Sequence, residues 1–317
     1  MRKMRALAGL LAIGFVMLLG NGLAIAASSV GNGALEADLI EWDIDNDKFT
    51  ATGNCALKLD QGRMTCDEVV ATLSSDLSSV LGAQAQGNLQ FDGQFTTSDG
   101  NQILVHSTAG LAKYLANTGN LVFSGGVELR AAGILGLLRN VSLKAPSATY
   151  SQSDQLFASE GSSVLTMVSG NGEGTTTSTL TAGKLSYSLR DGKITASEKT
   201  SIKAPEGTLQ ADSLTAEMGQ GTNLASAVAT GNVTVESLLA TSSGGKRKAT
   251  GHADHATYSA AESKIVLTGN VTLQLAPQQE GQAPPTVKGE RIILLIDQGK
   301  VRVEKGLITG APEAVQG

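Results

Sequence analysis

The sequence predicts an all-β fold built from about eight two-strand repeats. Three observations predict it. Two short motifs alternate along the chain, and the first of them recurs eight times from position 37 to 289 at a mean spacing of 36 residues. Within each motif apolar and polar residues alternate with period two, the pattern of a half-buried strand. The composition suits short strands and turns: 38 Gly, only 6 Pro, and Val, Thr and Ser throughout.

The first motif reads small, often acidic, any, apolar, any, then aromatic or apolar. Its copies in order are "ADLIEW" (37–42), "CDEVVA" (66–71), "AGLAKY" (109–114), "APSATY" (145–150), "AGKLSY" (182–187), "ADSLTA" (211–216), "ADHATY" (253–258) and "GERIIL" (289–294). The second motif is a strand interrupted by Gly-Asn. It is clearest in "FTATGNCALKL" (49–59), "AVATGNVTV" (227–235) and "IVLTGNVTLQL" (265–275), and weaker at 85–91, 123–129 and 196–204. Eight such units predict about sixteen antiparallel strands, with the Gly-Asn turns or kinks aligned along one edge. The turn between motifs is hairpin chemistry, as at Asp191-Gly192. Three low-complexity stretches, 169–179, 240–249 and 276–286, read as surface loops.

Parity then sorts the side chains. Ile265, Leu267, Val271, Leu273 and Leu275 share one face; Val266, Thr268, Asn270, Thr272 and Gln274 take the other. The same parity turns Val233, Val235, Tyr258, Ile292 and Leu294 inward. The first and last units, at 34–42 and 292–303, have a neighbour on one side only and are the expected exposed edges.

Apparent motifs dissolve against this repeat. His255 occupies the any-residue slot, where other copies carry Leu39, Glu68, Leu111, Ser147, Lys184, Ser213 and Arg291. His252 lies three residues away and on a regular strand falls on the opposite face. Zinc needs three or four convergent ligands, so no metal site is expected. The recurring carboxylates Asp38, Asp67, Asp212, Asp254 and Glu290 have no nucleophile or His beside them, so they read as turn or cross-strand partners. "GNGEG" at 170 lacks the Lys-Ser/Thr of a phosphate loop. Basic residues of "GKRK" (245–248) sit on a loop, where they are solvated or meet an anionic headgroup. No catalytic residue and no cofactor is expected. The net charge of −5 argues against nucleic acid as a partner.

Residues 1–26 read as an export signal: Arg2, Lys3 and Arg5, an apolar run from Leu7 to Leu19, and the small-x-small site Ala24-Ile-Ala26. Cleavage there moves the net charge to about −8. An uncleaved membrane anchor is the alternative, since Leu7 to Ala27 is long enough to span a bilayer. Either way the repeats at 27–317 are expected in the periplasm. Cys55 and Cys66 flank a turn at Asp60-Gln-Gly62; they either face each other across a hairpin and oxidise or fill small core slots.

Alternating "A-D-x-A-x-Y" and "L-T-G-N-V-x-L" strands resemble the LptA/OstA family of lipopolysaccharide-export proteins. The resemblance is strongest in Gly251–Tyr258, Ile265–Gln274 and Val287–Ile292, and the units cover 34 to 306. It implies an elongated, twisted, slightly open β-jellyroll, either one module or a doubled one with a boundary near 168–180. It further implies an apolar interior that carries the acyl chains of lipopolysaccharide or a related lipid. Val233, Val235, Tyr258, Ile265, Leu267, Val271, Leu273, Ile292 and Leu294 are then the lipid-facing residues. The implied partners are an inner-membrane export complex, an outer-membrane translocon and further copies joined head to tail. A membrane-anchored partner of the same pathway, similar to LptC, and a purely structural exported β-solenoid are the alternatives.

Overall fold

The computed structural model describes residues 34–309 apart from 60–61, 76–79, 97–101, 133–137, 152, 155, 172–173, 189–192, 206, 219–223, 241–244 and 278–283. The export signal therefore lies outside the described residues, as does the Asp191-Gly192 turn. No helix among the described residues is long and apolar enough to cross a membrane.

Seventeen strands make up the described chain. The first nine are β1 (Ala34–Glu36), β2 (Leu39–Asp43), β3 (Lys48–Leu59), β4 (Gly62–Leu73), β5 (Val80–Thr96), β6 (Gln102–Leu115), β7 (Asn120–Ala132), β8 (Leu138–Ser151) and β9 (Leu156–Asn171). The remainder are β10 (Gly174–Ser188), β11 (Lys193–Ala204), β12 (Gly207–Met218), β13 (Leu224–Ala240), β14 (Lys246–Ser259), β15 (Lys264–Leu275), β16 (Thr286–Leu295) and β17 (Lys300–Thr309). The chain divides into two units. The first contains β1–β9, the second contains β11–β17, and the residues of β10 are shared out between them. In the first unit β2 to β9 pair antiparallel in sequence order. In the second, β11 to β17 do the same. Both β1 and β2 pair with β3, so they are one strand interrupted at Ala37-Asp38. That interruption accounts for seventeen strands where eight two-strand units predict sixteen.

Gly-Asn is a bulge in mid-strand, and not a turn at an edge. In β3 the pairing steps from Thr52↔Glu68 to Cys55↔Cys66, leaving Gly53 and Asn54 opposite Asp67 alone. Both bulge residues have positive φ, 75° and 47°, a conformation that Gly tolerates freely and Asn better than most residues. The equivalent pairs are Gly87-Asn88, Gly125-Gly126, Gly161-Ser162, Glu198-Lys199, Gly231-Asn232 and Gly269-Asn270, all with positive φ, and Lys305 marks the place in β17. β9 and β17 carry the second motif without its Asn, as do β7 and β11, whose weaker copies are still recognisable in the sequence.

The acidic position explains itself against this bulge. Asn54 donates from Nδ2 to Asp38 Oδ2 at 2.8 Å, Asn88 to Asp67 at 3.0 Å, Asn232 to Asp212 at 2.8 Å and Asn270 to Asp254 at 2.9 Å. Asp67, Asp212 and Asp254 sit on the strand before the bulge, and Asp38 sits at the interruption between β1 and β2. A Cβ on the bulge Gly would run into that same carboxylate. The cross-strand role expected of the carboxylates is therefore a clamp on the neighbouring bulge. Where the Asp is missing the bulge changes with it: Gly110 faces Gly125, and Pro146 faces Gly161.

Bulges also flip the parity of the strands between them. In β14 Ala253 and Ala256 are buried, and the two residues between them, Asp254 and His255, are both exposed. His252 and His255 consequently share the outward face, contrary to the opposite faces expected of a regular strand. Their Nδ1 atoms lie 3.1 Å from Thr234 Oγ1 and 3.4 Å from Thr230 Oγ1 on β13. The low-complexity stretch 169–179 also departs from expectation, because β9 runs to Asn171 and β10 starts at Gly174. Its Thr run has strand propensity that composition alone conceals. The stretches 240–249 and 276–286 do hold the β13–β14 and β15–β16 links, though β14 already begins at Lys246.

Each unit encloses its own apolar interior. In the first, Leu57, Met64, Val69, Phe91, Leu121 and Tyr150 belong to one buried cluster. Cys55 and Cys66 are in it as free thiols on directly opposed positions.

Candidate functional site

The nine residues expected on the inner face lie on four consecutive strands of the second unit: β13, β14, β15 and β16. Register brings them together. Tyr258 faces Ile265, which faces Leu294. Leu267 is paired with Ile292. Across the bulge, Leu273 is flanked by Gly251 and Val287, and Val235 is on the far side of Gly251. Leu267 and Leu273 close over Gly251 from either side of the bulge: a Cβ there would meet their Cδ1 atoms at 2.7 and 3.5 Å. The absence of a side chain at 251 makes room for Leu267.

Eight of the nine are buried, and Leu267, Leu273 and Ile292 have no exposed surface. Tyr258 is half-buried at the end of its strand, next to the turn at 260–263. Two neighbours depart from simple alternation. Val266, expected outward, is 8% exposed, and Leu275, expected inward, is only half-buried at the strand end. The same face also includes Leu214, Leu239 and Val287, together with Ala227, Ala229, Ala249 and Ala256. Each has an inward slot of the repeat.

Among the described residues no charged side chain is buried; the buried polar ones are Ser107, Ser159, Ser163, Thr200 and Ser237. Ion pairs lie outside, such as Lys248 with Glu236 at 2.9 Å and Arg291 with Glu304 at 2.9 Å. The basic cluster is largely engaged: Arg247 Nε donates to the Ala276 carbonyl at 2.6 Å, and Lys248 holds Glu236. The resolved carboxylate shifts are likewise outside. The Lys58 ammonium lowers Glu36, and the Arg130 guanidinium lowers Glu128. The face is thus mainly hydrocarbon and uncharged, with the hydroxyls of Ser237 and Tyr258 as its polar groups, and it is suited to holding apolar groups.

Residues 179–300 match a family model described as LptA/(LptD N-terminal domain) LPS transport protein. This stretch is an LptA/OstA-like domain. It runs from within β10 to the first residue of β17 and contains all nine residues of the face. Among solved structures, the chain is similar to LptH, the LptA homologous periplasmic component of the conserved lipopolysaccharide transport device from Pseudomonas aeruginosa. The identity is 11% and the TM-score 0.30, over 38% of this chain and 76% of that one. No curated protein matches the chain.

The terminal strands fall partly where the repeat predicted. All of β2 is exposed, with Leu39 52%, Ile40 49% and Trp42 39% accessible. At the other end the prediction is corrected. Ile292 to Leu295 belong to β16, which is paired on both sides, and the terminal strand is β17 alone.

Proposed function

We propose that this protein binds the acyl chains of lipopolysaccharide or a related lipid along its apolar inner face and passes them across the periplasm between membrane partners. The observation that carries the reading is the coincidence of the family match at 179–300 with a continuous uncharged face made of Val233, Val235, Tyr258, Ile265, Leu267, Val271, Leu273, Ile292 and Leu294. No catalytic step is needed.

The interior is packed, so lipid must part it. Removing Leu267, Leu273 and Ile292 from their contacts costs about 2–3 kcal/mol each. An acyl chain regains about 0.8 kcal/mol per methylene, or about 9 kcal/mol for roughly twelve carbons. The two sums are comparable, which allows entry without trapping the cargo. The packed interior also favours a second reading, a closed structural β-solenoid with no cargo.

A photo-crosslinking residue at Val271 separates the two, with Thr272 as the outward control. In cells, lipid adducts are expected at 271 and only weakly at 272. Equal labelling at both, or none at either in a folded protein, leaves the structural solenoid.

Copies are proposed to join through β1–β2 of one and β17 of the next, which would put an unpaired strand edge to use. Removing 301–317 is expected to shrink the oligomers seen by light scattering. That deletion also strips Val301 and Val303 from Leu294 and Ile292. Leu307→Glu, at a position 63% exposed, is the companion variant that keeps the fold; unchanged oligomer size in both variants rejects the idea.

A further inference from the structure

The cysteine pair of the first unit belongs to no part of the face described above. Cys55 follows the β3 bulge directly and Cys66 precedes the Asp67 that stands opposite it. The two residues are registered partners on antiparallel strands. Directly opposed residues point to the same face, and here both are inside, 1% and 4% exposed. Opposed Cα atoms in an antiparallel pair are about 4.5–5.5 Å apart. A disulfide spans about 4.4–6.8 Å, so the backbone needs no rearrangement to accept one.

We propose that Cys55 and Cys66 are the site of a cross-strand disulfide that forms while the chain folds and is sealed when the core closes over it. Before β5 packs on, the β3–β4 hairpin presents both thiols to solvent. One thiolate attacks a sulfur of a small disulfide oxidant, forming a mixed disulfide and releasing one oxidant thiol. The second cysteine, as thiolate, then attacks the protein sulfur of that mixed disulfide and releases the second oxidant thiol. The pair loses two electrons and two protons, and the oxidant is reduced to two thiols.

Once the unit is folded, the chemistry stops. Burial pushes the Cys66 thiol up to about 12, with the adjoining Cys55 adding to the shift, and burial raises Cys55 as well. Cys55 Sγ donates to the Ala51 carbonyl at 3.2 Å. A buried, protonated thiol neither attacks an oxidant nor meets one. The redox state is therefore set once, at folding, and is insensitive to the surroundings afterwards.

The test is cell-free synthesis of the full chain, with oxidised glutathione present from the start or added only after folding is complete. Each sample is then unfolded and alkylated with iodoacetamide for intact-mass and peptide analysis. Oxidant from the start is expected to give a chain two hydrogens lighter, with no alkyl group and a linked 55–66 peptide. Oxidant added late is expected to leave both thiols alkylatable, with oxidation at least about a hundred-fold slower. Two alkyl groups or only glutathione adducts in the first sample would overturn the disulfide. Equal oxidation in both samples would overturn its sealing.

Discussion

Leu273→Asp is expected to unfold the second unit at neutral pH. Leu273 has no exposed surface and lies between Gly251 and Val287, against Leu267. Removing its hydrocarbon alone costs about 2–5 kcal/mol, as for other buried leucines cut to alanine. The carboxyl group that replaces it finds no charged partner on this face and is desolvated. Together these approach the whole stability of an ordinary domain, about 5–15 kcal/mol. The Asp escapes part of the cost by protonating, so its folded pKa rises above the unfolded value of about 3.9. The sign follows: the ionised unfolded chain is favoured increasingly as pH rises above about 4, and the penalty shrinks as pH falls toward it. Urea titrations followed by circular dichroism at pH 5 and pH 8 should show the variant less stable at pH 8, by a margin wild type lacks. Thr272→Asp, on the outer face, should change stability by no more than about 1 kcal/mol. Wild-type stability in Leu273→Asp would mean that position 273 meets water.

Much of this architecture was legible because the bulge leaves a fingerprint on two strands at once. Asp254 needs Asn270, and Asn270 needs Gly269 before it, so one physical contact writes a letter into each motif. Where the contact is made otherwise, the fingerprint fades: Gly161-Ser162 fills the same place without the Asn, and in β17 only the positive φ of Lys305 marks it. The flip of parity at Asp254-His255 was not legible, because it is imposed by the extra residue on the neighbouring strand. That is why the two histidines were assigned to opposite faces. The inward set was readable from alternation, since parity says which side a residue takes. Alternation does not say how closely the facing side chains approach, so the packed contact of Leu267 and Leu273 over Gly251 had to come from coordinates.

Gly269→Ala is expected to destabilise the second unit by about 2–4 kcal/mol, and Asp254→Ala is expected to relieve part of that. Two costs add at this glycine. Its φ is +76°, where a Cβ costs about 1–2 kcal/mol. The new methyl also lands 2.5 Å from Asp254 Oδ2, so the carboxylate must move and release Asn270, at about 1 kcal/mol for the lost hydrogen bond. Gly126 isolates the first cost. It has a similar φ of +83°, and a Cβ there would meet nothing within 4 Å. Gly126→Ala should therefore cost only about 1–2 kcal/mol. In an Asp254→Ala background the carboxylate is gone but the Cβ of residue 254 still lies 2.8 Å from the new methyl, so the cost of Gly269→Ala should fall toward the Gly126 value without reaching it. Urea midpoints of the two single variants and the double variant complete the cycle, whose coupling term is the clamp itself. Equal cost for Gly269→Ala with and without Asp254 would show that the carboxylate does not hold the bulge. The Asp and Asn of the repeat would then be neighbours by register alone.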